Sequence, residues 1–575
     1  MFYQFIRSYG CIFILPAVAI VFSLLLKAAA GPFWQYADPS YIYLLNSLNL
    51  VKGIPSAFFD QPGVPLQSLG QLIIMILNTG HSATSTIDQV LMDPEFYLNA
   101  INIVLLALIP LTSILLGAYT YFKTKDCLAV FLSQLPNVIL LTLRTSLDHP
   151  TVYATVNAEP LLLSVTNLFN LFLLKWYFAD ATKKENVAIL ILGFIAGLGI
   201  ATKLTFLPLL ALPLMIAGWR MKPVFILITI VSFVLWTLPI IALYPKLWGW
   251  AIELLTHTGV YGNGDQGIID LNAYLMTWKH LFQEFWFFIL FAVGIVTISS
   301  IQLIKKREHR AVFFSWAISA TILIQFMLIA KHFDEHYLVI VLNSFGPIFV
   351  AVYLQWMPKG VLGRIFILAL IGTGIIQSAI ITSRYASRLD HLTKAVVGFN
   401  DMVHSKYPDA IYIGSYLVSP IRSPEYALFM GNDSSGGGEK EELTRLYPKN
   451  FSFFTESRDI SGTCTYGLYD FKGPVWADDL LVDYSHIIFI NSGYDFSDSP
   501  YVVKPLEEGE FSKAYLLVGS TEKAANAFFN AAIQELQKGD YPQAFALALK
   551  ARQLHYQPQG KVDYFLSIVY PHLNH

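Results

Sequence analysis

The chain is written in long apolar runs separated by short polar stretches. Eleven runs lie at residues 9–30, 95–121, 127–143, 159–179, 187–203, 205–219, 223–243, 283–303, 311–330, 338–356 and 361–382. Most approach the roughly 20 residues that a helix needs to cross a bilayer, so the pattern predicts eleven spans. A further run, 64–78, is shorter and is interrupted by Gln67, Gly70 and Gln71. It predicts a helix lying in the membrane interface. The run Ile12–Ala30 follows Arg7 and ends in Ala28-Ala29-Ala30-Gly31, which looks like a signal-peptide cleavage site. Its length favours a retained first helix. After about residue 385 the pattern turns to that of a soluble protein. An amphipathic helix runs to about Lys406, and strand-like segments follow at 410–416, 487–491 and 514–519.

The predicted fold class is therefore an α-helical polytopic membrane protein over 1–384, with a C-terminal soluble α/β domain over 385–520. From Thr521, Ala524–Lys538 and Pro542–His555 read as two helices around Gly539-Asp540-Tyr541. Ala544, Ala548 and Ala551 recur at helical spacing. The segment 521–575 resembles one tetratricopeptide (TPR-like) helical hairpin, with the expected proline displaced to Pro558. One copy is fewer than the roughly three that a solenoid needs, so it predicts a packed appendage.

Charge orients the spans. With the N-terminus cytoplasmic, the inner loops are short and basic. They carry Arg7, Lys123, Lys125, Lys183, Lys184, Arg220, Lys222, Lys305, Lys306, Arg307, Arg310, Lys359 and Arg364. The outer loops are longer and hold few cations, as the positive-inside rule requires. Counting 64–78 as a span would put the later basic loops on the wrong face. The eleven-span reading places the C-terminal domain outside the cytoplasm, on the periplasmic face if the membrane is a bacterial inner membrane.

Composition agrees. Only 14% of the 575 residues are charged and 55% are hydrophobic, against about 25% charged in soluble domains. The net charge of −2 gives no bulk field for nucleic acid. Three cysteines (Cys11, Cys127 and Cys464) make neither a disulfide framework nor a zinc spacing. The outer loops 31–94, 144–158 and 244–282 collect Asp, Glu, His, Asn, Tyr and Gly, while the spans are nearly free of charge. A transporter is expected to place polar groups within its spans instead. Loop 256–267 is too glycine-rich for regular structure, and its Gly-x-Gly lacks the strand of a nucleotide fingerprint.

The first outer loop carries Asp38-Pro39 before a helix ending near Val51, then Gln61-Pro62-Gly63 before the interfacial run. An Asp before Pro also reads simply as a helix cap. In this order and spacing the loop resembles that of the GT-C superfamily of glycosyltransferases, which includes protein O-mannosyltransferases and the lipid A aminoarabinose transferases. The resemblance covers roughly residues 1–385 and implies a GT-C fold with a polyprenyl-phosphate-linked sugar donor. Asp38 takes the position of the catalytic acidic residue, acting as general base, and Glu159-Pro160 matches a second acidic site. The lone carboxylate beside Pro39 departs from the Asp-Glu pair of many mannosyltransferases. Lys203, which follows the glycine-rich Gly193–Gly199, and Lys331, His332 and His336 are the implied donor-phosphate contacts. Tyr337, Gln61, Asp148 and His149 are further substrate-binding candidates. As structure alone, Glu159 is a helix-start acid, and Lys203 and Lys331 are interfacial anchors. His332 and His336 stand four apart, but without Glu after His332 they do not make a zinc-protease motif.

The chemistry suits such a set. A carboxylate accepts the proton of the acceptor hydroxyl as the new C–O bond forms. The phosphate leaves as an anion, which nearby cations stabilise. The resemblance implies inversion at the anomeric carbon, a membrane-lipid environment and an acceptor of unspecified class (glycan, lipid or protein). No cofactor is required, and a divalent metal ion held by Glu159 remains open. Three rivals stay open beside it: a transporter or flippase of lipid-linked glycans, a polysaccharide polymerase or ligase, and a non-catalytic assembly scaffold.

Overall fold

The computed structural model describes residues 9–59, 62–140, 154–179, 182–258, 265–305, 309–331, 333–356, 360–416, 423–454, 467–556 and 559–573. The chain separates into two compact units. One comprises Met1–Ala30, Asn46–Thr86 and Phe96–Leu389. The other comprises Gly31–Leu45, Ile87–Glu95 and Asp390–His575.

The first unit is helical. Among the described residues, eight helices are long and apolar enough to cross a membrane, and the chain is an integral membrane protein. Among the described residues each predicted span overlaps a helix, but three segments fall outside those eight. Cys127–Ile139 and Ala158–Tyr177 are α-helices of 13 and 20 residues. The run 205–219 opens as a 3₁₀ helix, Leu204–Leu210, before the short α-helix Ala211–Ile216. The steeper rise of the 3₁₀ part stretches these residues to about 23 Å, close to a hydrocarbon core. The interfacial run is the helix Val64–Leu77. It starts on Gly63, whose left-handed backbone (φ 62°) suits glycine.

Polar contacts at helix ends fix the parity of the crossings. The start of Ala158–Tyr177 meets the start of Leu338–Asn343 through Glu159 and His336. At the other ends, Arg310 donates to the Ala179 and Trp176 carbonyls and to Glu185. Tyr353 donates to Asp126 at 2.6 Å. Each joined pair requires an even number of crossings between its members. The eleven-span reading supplies that number only if Leu204–Ile216 counts as a crossing.

Two expectations need correcting. Loop 244–282 is mostly helical: Tyr244–Thr256 begins on Pro245, and Leu271–Ile304 extends well before residue 283. Asp270 caps the latter by accepting from the Asn272 and Ala273 amides. Between these helices the Thr258 amide donates to the Asp265 carbonyl at 3.0 Å. Residues 259–264 lie outside the described residues. The spans also hold buried amides. Asn167 donates to Asn137 at 2.8 Å and to Thr112, and accepts from Asn343 at 3.0 Å. Asn170 donates to the Asn343 carbonyl. These bonds join four helices in a medium without competing water.

The glycine-rich face of helix Thr182–Thr202 packs closely on a neighbouring helix. A Cβ on Gly197 would stand 2.6 Å from both the Thr229 carbonyl and the Phe233 amide, in helix Met221–Thr237.

Among the described residues of the second unit, seven strands form one sheet: β1 (Ile411–Tyr416), β2 (Phe451–Phe454), β3 (Gly467–Asp470), β4 (Gly473–Val475), β5 (Ile487–Ile490), β6 (Tyr501–Glu508) and β7 (Lys513–Ser520). Their order is β4-β3-β2-β1-β5-β7-β6. β1 is parallel to β2 and β5, and the other pairs are antiparallel. The predicted strands correspond to β1, β5 and β7. The amphipathic helix before them is the end of one continuous helix, Val361–Lys406. The expected C-terminal helices are Glu522–Lys538 and Tyr541–Gln553, with a third, Gln559–Val569. Gly539 ends the first at φ 82°, and Asp540 caps the second by accepting from Gln543 at 3.1 Å. Ala544, Ala548 and Ala551 are fully buried in the core of these helices. Cys464 and Pro558 lie outside the described residues.

Two outcomes follow. Gly197→Val forces the two backbones apart and should cost about 1–3 kcal/mol, read as lower thermal stability in detergent beside an unchanged Gly218→Val control. The second concerns Glu522, which accepts from the Ala477 amide at 3.1 Å and the Tyr501 hydroxyl at 3.2 Å. Burial, reinforced by Asp478 and Asp479, lifts its carboxyl from 4.5 to about 7. The folded state therefore holds this proton more tightly than the unfolded one. Its stabilising contribution is full below pH 4.5 and is lost as pH rises to about 7, roughly 3 kcal/mol in all. Glu522→Gln should remove that share of the pH dependence, measured by denaturant unfolding of wild type and variant across this range.

Candidate functional site

Three helix ends of the first unit meet at Glu159. Asn157 caps helix Ala158–Tyr177, accepting from the Glu159 amide at 3.0 Å and donating to Thr155 at 2.6 Å. Asn102 donates to the Thr155 carbonyl at 3.0 Å, which ties this turn to helix Pro94–Thr124. Glu159 thus sits in the first turn, where the helix dipole favours an anion. Helix Thr182–Thr202 stops at Lys203, whose backbone is extended (φ −160°, ψ 135°) before the 3₁₀ segment. The Lys203 ammonium donates to the Glu159 carboxylate. Only 4% and 5% of the two side chains is exposed, so the charges are removed from solvent together.

The third contributor is the turn before Leu338. Asp334 caps the 3₁₀ turn Glu335–Tyr337. His336 stands between two carboxylates: Nε2 is 3.6 Å from Glu159 and Nδ1 is 2.8 Å from Asp334. The second contact is close in distance without the alignment of a hydrogen bond, since Nδ1 makes none among the described residues. The Tyr337 ring lies 4.8 Å from the Lys203 ammonium, within cation–π range. His336 is the more accessible cation candidate, with 12% of its side chain exposed.

The structure therefore brings together Glu159, Lys203, His336 and Tyr337, and adds Asp334. Lys331 is placed differently. Its ammonium donates to the Leu254 and Leu255 carbonyls at 2.6 and 2.9 Å, at the end of helix Tyr244–Thr256. That is a favourable position for a cation, and burial lowers its pKa from the ordinary lysine value. His332, Gln61, Asp148 and His149 lie outside the described residues. Among the described residues, no group of three or more His, Cys, Asp or Glu side chains is arranged to hold a metal ion. The carboxylate considered for that role, Glu159, is engaged by Lys203.

Asp38 belongs to the second unit. It is exposed, with non-helical φ −88° and ψ 120° between the 3₁₀ turn Phe33–Tyr36 and the helical residues that follow. Its surroundings are organised by Glu95, which sequence reasoning missed. Glu95 accepts from the Phe33 and Trp34 amides at 2.7 and 2.9 Å and from the Tyr41 hydroxyl at 2.9 Å. Burial, and then the Glu95 charge, push the Tyr41 phenol well above its ordinary value, so it stays a neutral donor.

No family model matches this chain, and no curated protein matches it. Solved structures do. ArnT from Cupriavidus metallidurans in the apo state is similar at TM-score 0.46 and 11% identity, over 89% of this chain and 98% of that one. The same protein bound to undecaprenyl phosphate gives 0.46 and 11%, over 89% and 99%. An oligosaccharyltransferase from Archaeoglobus fulgidus, tethered to an acceptor peptide, gives 0.35 and 12%, over 67% of this chain and 56% of that one. Likeness at this level transfers no residue role, so the site rests on the geometry above.

That geometry makes a stability prediction. Lys203→Met leaves the Glu159 carboxylate buried without its partner and should cost about 3–5 kcal/mol. Adding Glu159→Gln to Lys203→Met should recover most of the loss. Thermal unfolding in detergent of wild type, both single variants and the double variant measures the coupling. A coupling near zero would show that the pair is not formed.

Proposed function

We propose that this chain is a GT-C-type glycosyltransferase of a bacterial inner membrane. It transfers a sugar from a polyprenyl-phosphate donor to an acceptor on the periplasmic face, with the N-terminus cytoplasmic and inversion at the anomeric carbon. The observation that carries the reading is the Glu159–Lys203–His336 cluster. A cation buried at the ends of helices that flank outer loops is costly to maintain. It fits the recognition of an anionic headgroup on an otherwise hydrocarbon-soluble substrate.

Lys203 supplies three N–H donors, of which Glu159 engages one. The others and His336 are the proposed phosphate contacts. As the anomeric C–O bond breaks, its electron pair passes to the phosphate oxygen, and these groups stabilise the growing negative charge. Glu159 acts through Lys203 and is a positioning residue, holding the ammonium aimed. Asp38 is the proposed base, on the strength of the sequence resemblance and its exposed carboxylate. It takes the acceptor hydroxyl proton as the new glycosidic bond forms.

A second reading is favoured by one observation. Lys203 and Glu159 neutralise one another, and a helix-pinning ion pair requires no more than that. Catalysis separates the two: in the stability-restored double variant, a pinning pair leaves donor turnover intact, whereas a phosphate contact leaves it impaired.

The decisive assay mixes purified protein with polyprenyl-phosphate and polyprenyl-diphosphate sugars, with membrane extract as the acceptor source, and measures released polyprenyl phosphate. Wild type should release it, and Asp38→Asn should be slower by about 10²–10⁴-fold. Equal turnover by Asp38→Asn would remove Asp38 as base. No turnover of any donor by folded wild type would remove the transferase reading.

A further inference from the structure

An open cavity stands in the soluble part of the second unit. Its volume is about 650 Å³, in the range of small-molecule sites. Its walls come from the segment after β5, from strands β6 and β7, and from His555 beyond helix Tyr541–Gln553. None of these residues serves the transferase reading above.

The lining is aromatic and hydroxylic together. Phe496 is buried and fixes two partly exposed tyrosines. Its ring centroid is 4.9 Å from that of Tyr494 (86° between planes) and 5.3 Å from that of Tyr515 (61°). Asp495, Ser497 and Lys513 add hydrogen-bonding groups to the wall. Asp495 caps the turn Phe496–Asp498 through the Ser497 amide at 3.0 Å, which holds this loop in one shape. On the far wall His555 takes a left-handed backbone (φ 58°) just past the end of helix Tyr541–Gln553, its amide donating to the Arg552 carbonyl at 3.0 Å. Its Nδ1 is buried and has no hydrogen-bond partner among the described residues. The wall is braced by Thr521, whose hydroxyl donates to the Leu554 carbonyl at 2.9 Å and whose amide donates to the Pro500 carbonyl at 2.8 Å.

We propose that this cavity binds a neutral pyranoside, the sugar unit of an acceptor glycan. A pyranose has an apolar C–H face, which lies against the electron-rich face of an aromatic ring. Its rim of hydroxyls both donates and accepts, so a carboxylate, a hydroxyl and an ammonium all find partners. Charge selects against ionic ligands. The wall carries one carboxylate and one ammonium, and the ammonium of Lys513 already pairs with Glu508 at 2.9 Å. A peptide added to the sheet edge fits less well. β6 is the edge strand, and its register breaks between Val502 and Val503 and again between Pro505 and Glu507. Pro505 offers no amide hydrogen.

The assignment of the bound sugar as acceptor rests on the transferase reading, and the experiment keeps the two apart. Full-length protein in detergent is titrated with methyl glycosides of glucose, galactose, mannose and N-acetylglucosamine and with two neutral disaccharides. Saturation-transfer NMR and calorimetry report binding, and donor-lipid turnover is measured separately on the wild type. We expect saturable binding of at least one glycoside, with Tyr494→Ala weakening it by about tenfold through loss of ring contact. Lys513→Gln, at an exposed position where folding is not at stake, should weaken it severalfold. Absence of saturable binding, or binding undiminished in both variants, overturns the cavity assignment even where the wild type turns over donor lipid. Binding lost in the variants, with a wild type that turns over no donor, upholds the sugar site and removes the transferase.

Discussion

The burial of Lys203 against Glu159 is the constraint around which the membrane unit is arranged. Neither charge is tolerable alone away from water, so the helix that begins at Ala158 and the helix that ends at Thr202 must meet at those ends. His336 and Asp334 then bring a third element to the same place. The same rule operates more weakly elsewhere in the bundle. Arg310 gathers the carbonyls at the end of helix Ala158–Tyr177 and stacks over Trp176 at 4.5 Å. The Asn137–Asn167–Asn343 chain satisfies amides that lipid cannot solvate. These groups contact one another across helices, which sets register where apolar packing alone is permissive.

Much of this was legible in the chain. Apolar run lengths marked the helices because a bilayer imposes a length, and Gly193 and Gly197 marked a close crossing because only a missing Cβ admits one. Asn157 and Glu159 carried the signature of a helix start. What was not legible depended on partners far away in sequence. Nothing near Glu95 says that it will organise residues 33–41. The 3₁₀ turn at 335–337 hid behind a His-x-x-x-His spacing that suits an α-helix. The helix Tyr244–Thr256 was obscured by the glycines that follow it, and Lys331 looked like a phosphate contact because the carbonyls that receive it lie on that unforeseen helix.

The second unit shows how a discontinuous piece of chain is recruited. Residues 31–45 and 87–95 group with the C-terminal domain. Arg445 pairs with Asp88, the Tyr447 hydroxyl donates to the Leu91 carbonyl at 2.7 Å, and Gly431 packs against the Tyr41 backbone. The segment that carries Asp38 is therefore supported by residues made several hundred positions later. Its conformation is a property of the completed chain.

The order of the sheet carries a related consequence for biosynthesis. β1 leaves the ribosome first, yet it occupies the centre, and both of its edges stay open until β2 and then β5 are made. At a translation rate of about 5–20 residues per second, that wait lasts on the order of seconds. During it, an apolar strand with two free edges is exposed to any neighbour that can pair with it. Non-local parallel pairing is also slow to form. Vectorial synthesis thus makes this domain a natural client for chaperones on the side of the membrane where it folds, and its yield in a cell will depend on them more than its final stability suggests.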